Sequence, residues 1–457
     1  MPDNVKTAKV IGGGLAGAEA AFYLARRGVE TVLYEMKPAR FSPAHKSVGL
    51  AELVCSNSFK AMRLQSAAGL LKAEMEILGS LTVFCAKKSS VPAGGALAVD
   101  RDEFSRLVTE AVEKEPNITV VREEIKEIPE SGETCAVIIA TGPLTSKCLA
   151  EKIRSLCFGL LHFFDAAAPI ITKDSIEMEK AFFASRYGRG GENDYINCPM
   201  DRETYENFYN ELINAETAEL HAFEKNIQEG SLKNFYEGCI PIEVMAKRGA
   251  DTIRFGPMKP VGLTDPATGR RPWANLQLRM ENAAGTLYNL VGFQTNLKFA
   301  EQKRVFSLIP ALKNAEFARY GVMHRNTFLD SPRLLTPGFM FKTRPGLFFA
   351  GQITGVEGYM ESAASGILAG IGAGRFLDGL PPVNLPQTTM TGALSLYVSG
   401  ETAAPGAAGT KNFQPMGASF GLLEPLAQKV KKKDEKYLML AERSLEIIKQ
   451  TQTLYDL

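Results

Sequence analysis

Two cysteines lie in local sequences that suit chemistry as well as packing. Cys239 stands in the string YEGCIPIE, where a turn between a glycine and a proline can present its thiol to a cleft, with Glu237 or Glu243 close enough in sequence to handle protons. Cys55 stands in ELVCSNS, ahead of a segment with helical periodicity, and a helix N-terminus stabilises a nearby thiolate. A buried, inert thiol is the commonest fate of free cysteine and stays open for both.

The arrangement of the other cysteines limits what kind of chemistry is available. Four of them look like packing residues and Cys198 is undecided; the four are Cys85, Cys135, Cys148 and Cys157. No close CxxC pair exists, and Lys60 leaves Cys55 without a partner five residues on, which argues against a disulfide reductase, a disulfide framework and a thiolate metal site. The four scattered histidines form no metal signature either. If these thiols act, nucleophilic addition is the natural chemistry, and we expect a metal-free cytoplasmic protein.

A glycine-rich turn between a short apolar strand and a helix predicts a dinucleotide site. The strand Lys9–Ile11 leads into GGGLAG, and helix formers follow at Ala18–Arg27. Backbone amides at a helix N-terminus hold a pyrophosphate so closely that side chains must be absent. Glu35, 23 residues after Gly12, ends the second strand where an acid binds ribose hydroxyls. The predicted turn consists of Gly12, Gly13, Gly14, Leu15, Ala16 and Gly17.

Two later strands favour FAD over NAD. The apolar run at Ile138 ends in the small residues Thr141 and Gly142, which we expect near the nucleotide. The run at Leu347 ends at Gly351 and Gln352, and a small-residue helix at Ser362–Gly374 follows. Many FAD enzymes carry Asp where this sequence has Gln352, which weakens a generic oxidoreductase interpretation.

The length and composition of the chain indicate two domains, and its charge is distributed unevenly along the sequence. With 457 residues, 45% hydrophobic and 23% charged, it has the makeup of a globular protein of two domains. No apolar run approaches the roughly 18 residues that span a bilayer, and we expect no membrane association. Residues 241–350 hold sixteen Lys and Arg against seven Asp and Glu, although the whole chain has a net charge of only +1. Such a segment suits a polyanion, and an ordinary solvated surface is the alternative.

Long strings along the whole chain resemble one family. They include GGGLAGAEAA, AELVCSNSFK, EGCIPIEVMAKRG, TIRFGPMKPVGL, NAEFARYGVMHRNTF and LFFAGQITGVEGYMESAASG. Together they resemble the TrmFO family of folate- and FAD-dependent tRNA (uracil-5-)-methyltransferases, within the glucose-inhibited-division-like flavoproteins. Only residues 381–409 and the last 30 carry no part of this resemblance.

The resemblance implies a fold and a reaction. The fold is α/β: a Rossmann-type, glutathione-reductase-like FAD-binding domain at 1–190 and 336–457, interrupted by an α+β insertion domain at 191–335 on the tRNA side. Methylenetetrahydrofolate would supply the carbon, FADH2 the electrons and NAD(P)H the recharging of the flavin. The acceptor would be carbon 5 of the T-loop uridine in the T arm of tRNA, with Cys239 as nucleophile and Cys55 as the second essential thiol. No obligate protein partner is evident.

The same resemblance connects the basic segment to RNA. Phosphate contacts supply most nucleic-acid affinity; the candidates are Lys247, Arg248, Arg254, Lys259, Arg270, Arg271 and Arg279. Tyr288, Phe293 or Tyr359 could stack on the uridine or the folate, and each is more often a core residue. Three alternatives stay open: a flavoenzyme that modifies the wobble uridine of tRNA, which is a longer protein; a non-catalytic FAD-bound RNA-binding protein; and an aromatic hydroxylase.

Overall fold

The computed structural model describes residues 5–157, 159, 161–188, 190–191, 193–218, 240–402 and 413–457. Its strands are β1 (Thr7–Ile11), β2 (Glu30–Tyr34), β3 (Ser58–Ala61), β4 (Ser90–Val91), β5 (Ala96–Val99), β6 (Ile118–Val121), β7 (Cys135–Ile139), β8 (Leu161–Ala166), β9 (Ile170–Thr172), β10 (Phe182–Phe183), β11 (Tyr195–Met200), β12 (Ala274–Met280), β13 (Leu287–Leu290), β14 (Phe317–Arg319), β15 (Met323–Phe328) and β16 (Leu347–Phe349). Its α-helices are α1 (Leu15–Arg26), α2 (Ala67–Ile77), α3 (Leu81–Lys88), α4 (Arg101–Lys114), α5 (Lys147–Leu156), α6 (Arg202–Asn214), α7 (Ile242–Ala246), α8 (Ala250–Phe255), α9 (Phe299–Phe306), α10 (Ser331–Leu334), α11 (Tyr359–Leu377), α12 (Met390–Ser399) and α13 (Lys433–Tyr455).

A five-stranded parallel sheet forms the first core. Its strand order is β16-β7-β1-β2-β6, so the late strand β16 returns to pair with β7. The central strand β1 pairs in parallel with β2 and β7, and its Ala8 and Val10 are fully buried. Strands covered on both faces are continuous apolar runs, which is why sequence alone located them. The predicted α/β class with a Rossmann-type domain is confirmed.

Helices α1 and α11 pack against each other beside this sheet. A Cβ atom on Gly366 would lie 2.2 Å from the carbonyl oxygen of Ala16, so the close approach requires glycine. The helix predicted at Ser362–Gly374 is confirmed as part of α11. Helix α1 begins at Leu15 rather than at the predicted Ala18, because the last residues of the glycine motif already form its first turn.

Residues 381–409 are rich in Gly, Ala, Thr and Pro, which predicts a segment that winds over the surface, and this prediction is wrong for part of the segment. Helix α12 lies within it, and most of its residues are buried. The Thr389 side chain accepts a hydrogen bond from the N–H of Gly392, and the buried Glu74 carboxylate accepts from the first two N–H groups of the helix. These partners satisfy a helix end that would otherwise be costly to bury, and the small residues read as a loop are those that let α12 pack closely.

An antiparallel six-stranded sheet forms a second core, in the order β10-β11-β12-β13-β9-β14. Residues of α6 and α9 join it, with ring centroids 6.0 Å apart between Phe208 and Phe293 and 5.3 Å apart between Phe293 and Phe306. This sheet already takes β9 and β10 from before residue 191, so its first strand comes earlier than the expected start of the insertion. The division at 190/191 and 335/336 stays a prediction.

Smaller elements complete the fold. Strands β8 and β15 pair where the chain leaves the first core and returns to it, and β3, β5 and β4 form a small sheet beside α2 and α3. The sequence of residues 429–457 has a helical pattern, and the predicted helix is confirmed as α13, which packs on α2. The sequence also predicts a helix over residues 201–228; α6 covers the first half of it, and residues 219–228 lie outside the described part. None of the helices described is long and apolar enough to cross a bilayer.

Candidate active site

A deep cleft opens at the carboxyl ends of β1, β2, β7 and β16, where α/β sheets bind their ligands. Its open volume, including the mouth, is about 1140 Å³. Every residue predicted to hold the dinucleotide, apart from the buried Gly17, lines this cleft: Gly12, Gly13, Gly14, Leu15, Ala16, Glu35, Thr141, Gly142, Gly351 and Gln352. The fold therefore brings these predicted residues together from three separate parts of the chain.

Three of the four glycines in the turn serve different purposes. Gly12 has a φ of +103°, which strongly disfavours any residue with a side chain. A Cβ on Gly17 would lie 1.8 Å from the carbonyl oxygen of Gly12, so Gly17 is required for the turn to pack on itself. A Cβ on Gly14 would meet nothing within 4 Å. No part of the described chain requires glycine at position 14, and the cleft beside it is the space that a bound pyrophosphate would need.

Glu35 is fixed where β2 ends. One carboxylate oxygen accepts a hydrogen bond from the N–H of Gly13 at 3.0 Å, and the other accepts from the N–H of Lys37 at 3.0 Å. The side chain is buried. A carboxylate has about four acceptor positions, so Glu35 can still receive ribose hydroxyls while its own orientation is held by the glycine turn.

The other predicted residues are held by short polar contacts. The hydroxyl of Thr141 lies 2.6 Å from that of Thr145. The N–H of Gly351, whose φ is +84°, donates to the Ser365 hydroxyl at 2.7 Å, and the Gln352 amide donates to Glu357 at 2.7 Å. The first turn of α11 faces the cleft through Tyr359 and Ser362. The N-terminus of a second helix therefore lies at this cleft.

Sequence reasoning missed a polar group at the second-strand side of the cleft. Lys37 is buried; its ammonium donates to the carbonyl of Gly49 at 2.7 Å and lies 3.5 Å from the Glu52 carboxylate. His45 also lines the cleft, and burial, followed by the charge of Lys37, lowers the pKa of its imidazole. The signal was present, since the loop after β2 is where dinucleotide folds contact the ribose, but this loop shows no periodicity.

Cys55 lies beside the cleft, between the lining residues Val54 and Tyr359. The expectation of a helix N-terminus at this position is wrong: β3 follows it, and α2 begins only at Ala67. Its sulfur lies 2.9 Å from the Tyr359 hydroxyl, whose pKa is raised well above its usual value by burial and next by the Cys55 sulfur. The helix end that Cys55 does meet is that of α11, which is distant in sequence.

Cys239, the predicted nucleophile, lies outside the described residues, as does Glu237. Both oxygens of Glu243 accept hydrogen bonds, from the Thr295 hydroxyl and the Asn296 N–H at 2.8 Å each, which gives this buried carboxylate a structural role. Among the remaining cysteines, Cys198 is buried in β11, and burial raises the pKa of its thiol. Cys148 is exposed, so its assignment to packing is wrong.

The predicted RNA contacts divide into surface and interior. Arg279 is buried in β12 and is excluded from the surface. Arg254 stacks on the partly exposed Trp273, with its guanidinium carbon 3.7 Å from the ring centroid. The remaining candidates are exposed: Lys247, Arg248, Lys259, Arg270 and Arg271. Of the proposed stacking residues, Tyr288 and Phe293 are buried in the second core, which contradicts that role, whereas Tyr359 lines the cleft.

The chain is similar to proteins of one family over nearly its full length. A family model described as glucose inhibited division protein A matches residues 7–381. The chain is 54% identical over 448 residues to the methylenetetrahydrofolate–tRNA-(uracil-5-)-methyltransferase TrmFO of Acetivibrio thermocellus, with 98% of this chain and 99% of that protein covered. It is 55% identical over 440 residues to the protein of the same name from Bacillus pumilus, covering 96% and 97%.

A solved structure has the same fold. GidA of Aquifex aeolicus superposes with a TM-score of 0.67 at 18% identity, covering 100% of this chain and 76% of the GidA chain. At that identity the likeness speaks for the fold alone, whereas the sequence relatives share more than half of their residues with this chain. The chain therefore belongs to the glucose inhibited division protein A family and, within it, to the proteins named TrmFO.

Proposed function

We propose that the chain methylates carbon 5 of the T-loop uridine in tRNA, with methylenetetrahydrofolate as carbon donor and FADH2, recharged by NAD(P)H, as reductant. One observation carries the proposal. A dinucleotide cleft opens directly beside Cys55, in a chain 54% identical over 98% of its length to a protein named for this transfer. A disulfide reductase would need a second close thiol, and no other cysteine is near Cys55 in sequence.

The residues of the cleft fit FAD. Gly12, Gly13, Gly14 and Gly17 would give the pyrophosphate a turn without side chains, and Glu35 would bind the ribose. Thr141, Gly142, Gly351 and Gln352, with the first turn of α11, would line the rest of the cofactor. When bound, the reduced flavin supplies the hydride that completes the methyl group. The chain's own residues orient it and, through apolar lining such as Ile11 and Leu149, exclude water.

The cysteines would make carbon 5 of uracil nucleophilic enough to be methylated. Carbon 5 of uracil is a poor nucleophile, but addition of the Cys239 thiolate to carbon 6 sends an electron pair into an enolate that attacks a methylene group. Loss of the proton on carbon 5 must then expel the nitrogen that carried the methylene group, and addition of a hydride to that methylene group must expel the thiolate. Cys55 would be the second thiol required, close to the flavin. The uridine is buried in the tRNA elbow and must be turned out to reach Cys239.

The exposed basic residues of the second sheet's domain would contact the phosphates of the T arm. The N–H of Asp265 donates a hydrogen bond to the carbonyl of Arg270 and closes a turn, and Arg271 directly follows this turn. The turn leads into Trp273 and the start of β12, whose other end reaches Asn57 near Cys55 through Arg279. At about 3.3 Å per residue, roughly 20 Å separates Trp273 from Arg279, a distance at which a bound stem can place its loop at the cleft.

Replacing Arg270 and Arg271 by alanine is expected to weaken tRNA binding at least tenfold at about 0.1 M salt, because two phosphate contacts are lost. Binding measured over a salt series should have a slope smaller by about two. Arg26 and Arg27, an adjacent exposed pair at the end of α1, are the matched control and should leave both quantities unchanged. If the two variants lose equal amounts of tRNA affinity, the turn does not belong to the surface that binds RNA.

The test of the function is nucleoside mass analysis. Unmodified tRNA is incubated with the protein, methylenetetrahydrofolate and NADPH, and 5-methyluridine should appear at the T-loop position only when both co-substrates are present. A new product at the wobble position would support the alternative flavoenzyme, and tight tRNA binding with no product would support a non-catalytic RNA-binding protein. We place the activity in the cytoplasm, with residues 191–335 as the tRNA-facing insertion.

A further inference from the structure

The segment that carries Cys55 is held by three arginines. Arg101 and Arg319 donate hydrogen bonds to the carbonyl oxygens of the two residues before Cys55, at 2.7 and 2.6 Å. Arg279 donates to the side-chain oxygens of the two residues after it, both at 3.0 Å. Arg279 and Arg319 come from the second sheet, more than 200 residues away in sequence. Residues from both the first core and the second sheet therefore fix the position of this thiol.

These arginines bring more positive charge than the described side chains around them balance. Glu281, which is 4% exposed, forms an ion pair with Arg101 and also interacts electrostatically with Arg279 and Arg319; within the described residues no other carboxylate forms an ion pair with any of the three. Arg279 is 8% exposed, and one terminal nitrogen of Arg101 is buried with no hydrogen-bond partner in the described structure. Burial lowers the pKa of Arg279 and Arg319, and Glu281 and Cys55 oppose that shift. Buried charge is costly unless an anion lies beside it.

The hydroxyl group of Tyr359 is also oriented by hydrogen bonds at the Cys55 segment. Its oxygen accepts a hydrogen bond from the N–H of Cys55 at 2.9 Å and another from the N–H of Ser56 at 3.2 Å. A phenol oxygen has two acceptor positions, so its own hydrogen must point elsewhere, and the Cys55 sulfur lies 2.9 Å away. A hydroxyl that donates to sulfur favours the thiolate over the thiol.

We propose that Tyr359, Arg279 and Arg319 are positioning residues that hold Cys55 as a thiolate at neutral pH. Arg101 reinforces the positive field, and Glu281 limits it by neutralising one guanidinium group. The thiolate is the form of Cys55 that can take up a proton or attack an electrophile during methyl transfer. The role of this thiolate in methyl transfer rests on the proposed function, but the ionisation of Cys55 does not depend on that function.

The ionisation can be measured without tRNA or folate. The FAD-loaded protein is treated with iodoacetamide from pH 5 to 10, and the rate of modification of the Cys55 peptide is followed by mass spectrometry. Because only the thiolate reacts, the midpoint of the rate profile reports its formation. We expect the Cys55 midpoint at least one pH unit below that of a model cysteine peptide. A midpoint equal to or above that of the peptide would overturn the proposal.

Two variants separate the contributions of Tyr359 and Arg319 to the ionisation of Cys55. Tyr359→Phe should raise the Cys55 midpoint by about one unit, a tenfold slower reaction at neutral pH, since one hydrogen bond to the charged form is lost. Arg319→Gln, at a half-buried position, should raise it as well and serves if the tyrosine variant fails to fold. Tyr397→Phe, which removes a hydroxyl bonded to the Gln414 carbonyl, is the matched control and should not move it.

The results of these measurements test the ionisation of Cys55 separately from the methylation activity. A flavin-loaded Tyr359→Phe or Arg319→Gln protein with the wild-type midpoint refutes the role of that residue, whatever its methylation activity. A low wild-type midpoint that both variants raise supports the role even if the protein methylates nothing. Cys148, exposed on α5, gives a second profile in the same samples that neither variant should change.

Discussion

Cys239→Ala is expected to form no covalent adduct with a T-arm RNA that carries 5-fluorouridine, and to lose methylation by at least about 10³-fold. Fluorine cannot leave carbon 5 as a proton does, so the bond between the thiol and carbon 6 persists in the wild-type protein and can be seen as a band of lower mobility on a denaturing gel. Removing the nucleophile removes both the adduct and the activation of carbon 5. The measurement is the fraction of RNA trapped, together with 5-methyluridine formed under the same conditions.

The control for this prediction is Cys148→Ala, which removes an exposed thiol on α5 and should trap RNA as the wild type does. A Cys239→Ala protein that traps RNA equally well assigns the nucleophile to another residue. Cys198 is a weak substitute on structural grounds, because it is buried in β11 and burial raises the pKa of its thiol. The second thiol beside the cleft, Cys55, would then be the first to test.

Local sequence predicted the cofactor cleft well because its chemistry is local. The turn from Gly12 to Gly17 and the acid Glu35 lie on consecutive elements, where a backbone requirement appears directly as glycine spacing. Gly351 was found for the same reason, as a glycine after a buried strand. The Lys37 and His45 side of the cleft was missed because a loop has no periodicity and its contacts depend on how it folds back.

The surroundings of Cys55 could not be predicted, because they depend on contacts between distant segments. Arg279 and Asn57 are 222 positions apart, and nothing in either local sequence indicates that they meet. The count of basic residues between 241 and 350 combined two populations: surface groups such as Arg271, and buried groups that hold the Cys55 segment. The number of charged residues in a stretch of sequence does not show whether each of them is exposed or buried. The expectation that Cys55 lies at the N-terminus of the helix that follows it was wrong for a related reason, since it assumed that the helix begins next to Cys55 in sequence, whereas α2 begins only at Ala67.

Gly14→Ala and Gly17→Ala are expected to impair FAD binding in two different ways. At Gly14 a Cβ meets nothing within 4 Å and φ is −76°, so the free energy of unfolding of the apoprotein should change by less than about 1 kcal/mol. FAD affinity should nevertheless fall at least about tenfold, or 1.4 kcal/mol, because the methyl group occupies the space of the pyrophosphate. At Gly17 the Cβ would lie 1.8 Å from a backbone oxygen, so the apoprotein itself should lose about 2–4 kcal/mol.

The two measurements are urea unfolding of the apoprotein and titration with FAD followed by flavin fluorescence. Gly132→Ala is the matched control, since its Cβ also meets nothing within 4 Å but its position lies outside the cleft lining, and it should change neither quantity. If Gly14→Ala binds FAD as the wild type does, the pyrophosphate does not approach this glycine, and the cleft holds the cofactor differently. If Gly14→Ala instead destabilises the apoprotein as much as Gly17→Ala, glycine at position 14 serves the fold, and the open space beside it carries no information about the cofactor.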